Sequence, residues 1–154
     1  MEIERKFLVN NPMKGYSQYP CREIEQGYLS SDPEIRIRKE DNTYILTIKS
    51  KGSLVREEYN YQISKETYSH LLQKVDGNIL TKKRFLIPLE NNLIAELDIF
   101  EGNLNCLMTV EVEFKSEEDA RRFVPPNWFG KDVTYSSNYK NYNLSKTKGG
   151  TSWD

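Results

Sequence analysis

The sequence has little histidine and little cysteine. Its 154 residues include one histidine, His70, and two cysteines, Cys21 and Cys106, with no C-x-x-C pair. One histidine excludes the zinc sites that are built from several histidines. Two isolated cysteines offer no disulfide framework, which indicates a protein that keeps its thiols reduced, and we expect a cytoplasmic location.

The chain also lacks long apolar runs and a large excess of charge of either sign. Hydrophobic residues make up 37%, and mean hydropathy is −0.74. No stretch approaches the roughly 18 apolar residues of a membrane span, and the charged first residues do not form a signal peptide. Twenty-two basic and 23 acidic residues give a net charge of −1, which argues against general nucleic-acid binding.

Alternating apolar and polar residues predict a succession of strands. The predicted strands cover 2–9, 23–30, 34–40, 43–50, 54–63, 79–89, 93–101 and 107–115. Helices are predicted over 65–75 and 116–123, with Ser64 and Ser116 as the capping residues. About eight strands separated by regular turn signals favour an antiparallel barrel or sandwich.

The polar faces of these strands are unusually rich in charge. The bases are Lys6, Arg36, Arg38, Lys49, Arg56, Lys82 and Arg84, and the acids are Glu2, Glu4, Glu58, Glu96, Asp98, Glu111 and Glu113. A solvated face with weak ion pairs, each contributing ~0.2–1 kcal/mol, is the ordinary interpretation of such a pattern. However, residues two apart in a strand point the same way, so three E-x-E or E-x-D pairs place carboxylates side by side.

Neighbouring carboxylates repel one another unless a cation lies between them. The acid pairs therefore predict an oxygen-lined site for Mg²⁺ or Mn²⁺. The bases require an anion, and a closed barrel with its charged faces inside would supply a tunnel for one. A polyphosphate satisfies both groups, because Arg and Lys bind phosphate oxygens and the metal bridges them.

The motifs, taken in order, resemble the CYTH, or triphosphate tunnel metalloenzyme, family. The first is the E-x-E-x-K signature at 2–6. It is followed by QGYL at 26–29, IRIR at 35–38, LTIK at 46–49, LVREEY at 54–59, KKRF at 82–85, ELD at 96–98 and VEVE at 110–113. The resemblance covers about residues 1–145, which we predict to be one domain, and 146–154 is predicted to be a flexible tail.

The resemblance implies a mainly β (α+β) fold, a closed eight-stranded antiparallel β-barrel that forms a tunnel and carries a few covering helices. It is greatest to small bacterial inorganic triphosphatases, which implies metal-dependent hydrolysis of tripolyphosphate to diphosphate and phosphate by in-line attack of water. A class IV-type adenylate cyclase, a thiamine triphosphatase, an RNA triphosphatase and a non-catalytic polyphosphate- or nucleotide-binding module remain alternatives. The partner is expected to be a small-molecule triphosphate, without nucleic acid or membrane, and the protein a monomer or homodimer.

The resemblance also assigns roles to residues. The expected metal ligands are Glu2, Glu4, Glu111, Glu113 and Asp98, with Glu96 as an additional candidate. Catalytic roles are expected for Glu4, Asp98, Lys49 and Lys82. The expected substrate-binding residues are Lys6, Arg36, Arg38, Lys49, Arg56, Lys82, Arg84 and Tyr28, although Tyr28 is equally interpretable as a wall aromatic.

The sequence departs from the family pattern at two positions. Asn60 stands where some members carry an acid, and Asn138 stands where members of this subgroup often carry a base. The missing base predicts a weaker grip on one phosphate oxygen, and Lys140 is a candidate replacement. By parity, Arg5 and Lys83 are expected to point outward, away from the tunnel.

Overall fold

Nine strands form one antiparallel sheet in the computed structural model, which describes residues 1–147. The strands are β1 (Glu2–Leu8), β2 (Cys21–Ser31), β3 (Glu34–Glu40), β4 (Thr43–Lys49), β5 (Val55–Arg56), β6 (Glu58–Gln62), β7 (Asp76–Pro88), β8 (Ile94–Phe100) and β9 (Met108–Glu113). Their order in the sheet is β5-β1-β9-β8-β7-β2-β3-β4-β6.

The sheet closes on itself at Glu57. This residue alone separates β5 from β6, and these two strands lie at opposite ends of the sheet order. The Ser50 amide donates to the Glu57 carbonyl at 3.0 Å, and the Glu57 amide donates to the Ser50 hydroxyl at 2.9 Å. The predicted strand 54–63 is thus interrupted once, so the eight expected strands become nine. The predicted closed, mainly β barrel is confirmed.

Three short helices accompany the barrel: α1 (Lys65–Leu72), α2 (Glu117–Arg122) and α3 (Asn141–Leu144). Both predicted caps are confirmed, because the hydroxyls of Ser64 and Ser116 each accept a backbone N–H three residues ahead at 3.0 Å. Helix α1 ends earlier than predicted, since Asp76 already pairs with β2 and requires extended backbone. No helix among the described residues is long and apolar enough to cross a membrane.

The main hydrophobic core lies outside the barrel wall. Outward-facing side chains such as Phe7, Leu97 and Val110, each at most 1% exposed, pack with Ala120 of α2 and with Phe129. The apolar strand faces therefore do point away from the interior, as the alternation predicts. The outer apolar face of the barrel is not fully covered at β6, where Tyr59 and Tyr61 are 59% and 58% exposed.

Arg5 and Lys83 lie outside the tunnel, as expected from parity. Arg5 donates to the carbonyls of Ala120 and Phe123 and forms an ion pair with Asp132 at 2.9 Å. It therefore ties β1 to the end of α2. Lys83 is exposed on the outer face of β7.

A second apolar cluster fills one end of the barrel. Leu8, Leu80 and Phe100 share the inward parity of their strands and are at most 3% exposed. They pack with residues of the segment 133–144, including Val133 and Leu144. Of the predicted tail 146–154, Lys146 pairs with Asp76 at 2.6 Å, and residues 148–154 lie outside the described residues.

Candidate active site

The inner face of the barrel wall carries the charged side chains. The buried ones are Glu2, Arg36, Lys49, Lys82, Arg84, Asp98 and Glu111. The partly buried ones are Glu4, Lys6, Arg38, Arg56, Glu58 and Glu96. Glu113 faces Glu4 across β1 and β9 but is exposed. The charged parity thus lines the interior rather than the outer surface.

Asp98 is the centre of the most deeply buried ion-pair network. Its carboxylate accepts two hydrogen bonds from the Arg84 guanidinium, at 2.8 and 2.9 Å, and lies 2.8 Å from the Lys82 ammonium. Burial opposes ionisation of Asp98, but Arg84 and Lys82 outweigh it and hold its pKa below the ordinary value. Burial lowers the pKa of Lys82 to about 7. Arg84 also binds Glu96 at 2.9 Å.

Glu4 and Glu111 form a close pair of carboxyl groups on neighbouring strands. Burial, together with the adjacent Glu111 charge, raises the pKa of Glu4 well above its ordinary value. Burial also opposes ionisation of Glu111, but Lys6, Arg84 and Lys82 hold its pKa well below that value. Of the two carboxyl groups, Glu4 is therefore the one that takes up a proton more readily.

Glu2 lies in a group of charges that adjoins the Glu4–Glu111 pair. Its carboxylate accepts from the Lys49 ammonium at 2.9 and 3.1 Å, and the Arg56 guanidinium lies 3.8 Å away. Burial and the neighbouring Glu58 raise the pKa of Glu2, although Lys49 opposes the shift. The same nitrogen of Arg56 also lies 3.8 Å from Glu4, so Glu2 and Glu4 share one cationic neighbour. Their carboxyl partners, Glu58 and Glu111, lie on β6 and β9.

Arg36 and Arg38 form no ion pair with an acidic side chain in the described part of the chain. Among residues 1–147, no carboxylate oxygen lies within 4.0 Å of either guanidinium. Arg36 is 7% exposed and its Nε has no hydrogen-bond acceptor among those residues, while Arg38 donates twice to the neutral side chain of Gln26. Burial and the charges of Arg36 and Arg84 lower the pKa of Arg38 to about 10. Burial also opposes the charge of Arg36, but Tyr28, Glu34 and Glu58 outweigh it and raise the pKa of Arg36. Within the described residues, both cations thus lie inside the barrel without a carboxylate in direct contact.

A cavity of about 40 Å³ opens beside Arg36. Its charged lining residues are Glu4, Lys6, Glu34, Arg36, Lys49, Arg56 and Lys140. Tyr28 also lines it, is fully buried, and has an hydroxyl without a hydrogen-bond partner in the described part of the chain. The Tyr28 ring packs on Tyr142 in a T-shaped contact. Tyr28 therefore serves as a wall aromatic and also presents a polar group to the cavity.

Comparison with known proteins identifies the family. A family model described as the CYTH domain matches residues 1–125. The chain belongs to the CYTH domain family. The inorganic triphosphatase of Nitrosomonas europaea is 41% identical over 147 residues, which are 94% of this chain and 96% of that protein. The inorganic triphosphatase of Acetivibrio thermocellus is 29% identical over 150 residues, 94% and 93% of the two chains.

Solved structures agree with the family assignment. The crystal structure of an inorganic triphosphatase superimposes with a TM-score of 0.72 at 38% identity and covers 97% of both chains. A Hippeastrum adenylyl cyclase described as having a dominant triphosphatase activity gives a TM-score of 0.56 at 17% identity, over 79% of this chain and 83% of that one. The latter likeness shows the fold alone. The CYTH resemblance predicted from the motifs is thereby confirmed.

The CYTH family of triphosphate tunnel metalloenzymes depends in general on divalent metal, and the donors present here fit such an ion. Among the described residues, no three Asp, Glu, His or Cys side chains form a ready-made metal cluster. Two carboxyl pairs exist instead, Glu4 with Glu111 and Glu2 with Glu58. Mg²⁺ is commonly held by one or two carboxylates, with substrate phosphates and water completing its shell. A bound cation would relieve the repulsion within each carboxyl pair.

Sequence reasoning missed two interior residues. Glu34 lies 3.4 Å from the Arg56 guanidinium and lines the cavity, and Gln26 holds Arg38. The signal for Glu34 was available, because it has the same parity as Arg36 and Arg38 in β3. Asn60, one of the two departures from the family pattern, accepts from the Thr47 hydroxyl at 2.6 Å.

Proposed function

We propose that this protein hydrolyses inorganic tripolyphosphate to diphosphate and phosphate inside the charged barrel, with Mg²⁺ or Mn²⁺ as cofactor. The observation that carries the proposal is the pair Arg36 and Arg38, which are held inward without a carboxylate partner among the described residues. Uncompensated interior cations are unfavourable unless an anion joins them. The similarity to two proteins named inorganic triphosphatase supports the same reaction.

The basic side chains inside the barrel form two groups that differ in position. Lys6, Arg36, Lys49 and Arg56 line the cavity and bind phosphate oxygens there. Arg38, Lys82 and Arg84 lie on the same inner face but do not line this cavity, and Asp98 orients the last two. Arg side chains offer two parallel N–H donors to phosphate, whereas Lys supplies a mobile charge. Lys49 and Lys82 act in catalysis by neutralising charge that moves between the phosphoryl group and the leaving diphosphate.

The carboxyl groups hold the metal. Glu4 and Glu111 are the principal ligands, and Asp98 remains a candidate ligand. Glu113, which faces Glu4 across β1 and β9, and Glu2, two residues before Glu4 on β1, are additional ligands. A bound divalent ion supplies Lewis-acid stabilisation of the phosphate oxygens. Water attacks the terminal phosphorus, the bond from that phosphorus to the bridging oxygen breaks, and diphosphate leaves. The Tyr28 hydroxyl donates to a phosphate oxygen or to bound water.

A substrate panel tests the proposed specificity. Phosphate release is measured from tripolyphosphate, ATP and thiamine triphosphate at equal concentrations with the same Mg²⁺ excess. We expect tripolyphosphate to be hydrolysed at least about tenfold faster than the others, because the nucleoside and thiamine groups have no identified pocket. Preferential hydrolysis of ATP or thiamine triphosphate, or formation of a cyclic nucleotide, would contradict the proposed substrate. The cytoplasmic location, the domain limits 1–145 and the monomeric or homodimeric state stay predictions.

A further inference from the structure

The segment 133–144 crosses the cavity end of the barrel and is fixed to β1. The Val133 amide donates to the Lys6 carbonyl at 2.8 Å, and the Lys6 amide donates to the Thr134 hydroxyl at 3.0 Å. The Lys6 ammonium in turn donates to the carbonyl of Tyr139. These bonds place the residues that follow Tyr139 at the rim of the cavity.

This segment contributes one positively charged residue, Lys140, to the lining of the cavity. Its ammonium donates to the carbonyl of Gly52 at 3.0 Å, across the turn between β4 and β5. In the part of the chain that the structure describes, no carboxylate oxygen lies within 4.0 Å of this ammonium. An ammonium has three donors, so Lys140 retains donors and an uncompensated charge beside the cavity.

Two neighbouring donors point to an oxygen-rich ligand independently of Lys140. The Tyr28 hydroxyl is fully buried, lines the same cavity and has no acceptor among residues 1–147. The Nε of Arg36, 7% exposed, is equally without an acceptor there. Buried donors are normally satisfied, so the unsatisfied ones indicate where ligand oxygens belong.

We propose that Lys140 binds a phosphate oxygen of the substrate and supplies the positive charge that the chain lacks at Asn138. This inference rests on the proposed triphosphatase function. Asn138 lies two residues earlier in the same segment and is exposed in the short turn Ser137–Tyr139. On substrate binding, the Lys140 ammonium exchanges the neutral Gly52 carbonyl for a charged phosphate oxygen, which is the stronger acceptor.

The test compares Lys140→Met with Lys51→Met in steady-state kinetics on tripolyphosphate. Lys51 lies at the same turn as Gly52, but its ammonium pairs with Asp32 at 3.0 Å, its side chain is 81% exposed, and it does not line the cavity. We expect Lys140→Met to raise KM about tenfold and to change kcat less than about twofold. The variant loses one charge-assisted contact that the enzyme makes equally with the bound substrate and with the transition state. Lys51→Met should change KM less than about twofold.

Binding measurements separate a phosphate-binding role from a structural one. Calorimetric titration with tripolyphosphate in EDTA should show a dissociation constant raised about tenfold in Lys140→Met and restored to within about threefold in Lys140→Arg. A lower melting temperature with unchanged tripolyphosphate affinity would assign Lys140 to the Gly52 contact alone and overturn the inference. Equal loss of tripolyphosphate affinity in Lys140→Met and Lys51→Met would also overturn the inference. General electrostatic attraction between the protein and the anion would then explain both losses. If the wild-type protein neither binds nor hydrolyses tripolyphosphate, the proposed function itself fails.

Discussion

Replacement of Glu4 by glutamine is expected to lower phosphate release from tripolyphosphate by at least about 1000-fold. The change removes one charge from the Glu4–Glu111 pair, which is the arrangement best suited to hold a divalent ion. Loss of several kcal/mol of transition-state stabilisation corresponds to about three powers of ten in rate. The measurement is kcat under saturating tripolyphosphate and Mg²⁺, with the melting temperature recorded for each variant.

Binding without turnover distinguishes this loss from general damage to the tunnel. In EDTA, Glu4→Gln should bind tripolyphosphate at least as tightly as the wild type, because a carboxyl group near the anion has become neutral. Glu118→Gln is the matched control, since Glu118 is exposed on α2 and pairs with Arg122 within that helix. A Glu4→Gln enzyme that retains more than a tenth of the wild-type rate would exclude Glu4 from the essential metal ligands.

Replacement of Asp98 by asparagine is expected to reduce the free energy of unfolding by about 3 kcal/mol. The side chains of Asp98 and Lys82 are completely buried, and that of Arg84 is 8% exposed. Removing the shared carboxylate leaves two cations in the interior without their main counter-ion, which is more unfavourable than losing one surface pair. Urea unfolding at neutral pH, monitored by circular dichroism, measures the difference.

The pH dependence of stability gives a second signature of the same carboxylate. Because Arg84 and Lys82 offset burial and hold the pKa of Asp98 below its ordinary value, its stabilising contribution is present at neutral pH and is lost as pH falls through the folded-state pKa. Asp98→Asn should lack this part of the acid dependence. Glu101→Gln, at an exposed acid just after β8, should alter stability by less than about 0.5 kcal/mol. Equal stability of Asp98→Asn and wild type would contradict the assigned network.

Residue parity made the barrel interior predictable from the sequence. In β3, Ile35 and Ile37 alternate with Arg36 and Arg38, and a strand must send the two sets to opposite faces. The charged residues on the polar faces of the strands were too numerous for an ordinary solvated face. We therefore predicted that these side chains point into the barrel. The interruption at Glu57 was not predictable in this way. It depends on Val55 and Arg56 pairing with β1, which is distant in sequence, before the chain joins β4 at Glu58.

The partners of each charged side chain were less predictable than its direction. The E-x-E spacing suggested that Glu2 and Glu4 share one spot, and both lie 3.8 Å from the same nitrogen of Arg56. The spacing did not show that Glu2 also binds Lys49 of β4 or that Glu4 lies beside Glu111 of β9. These pairings follow from strand order and barrel tilt, which no local pattern records. The role of the segment around Lys140 was hidden for a related reason, since its position depends on bonds to β1 more than 120 residues away.

Phosphate release from tripolyphosphate, measured with Mg²⁺, after chelation by EDTA, and after Mg²⁺ is restored, tests the central claim most directly. The charged interior should give rapid release with metal, at least about 100-fold less after chelation, and full recovery when metal returns. Equal release in all three conditions would contradict the metal role of the carboxyl pairs. No release in any condition, from protein that remains folded, would contradict the assignment of the barrel interior as a triphosphatase site.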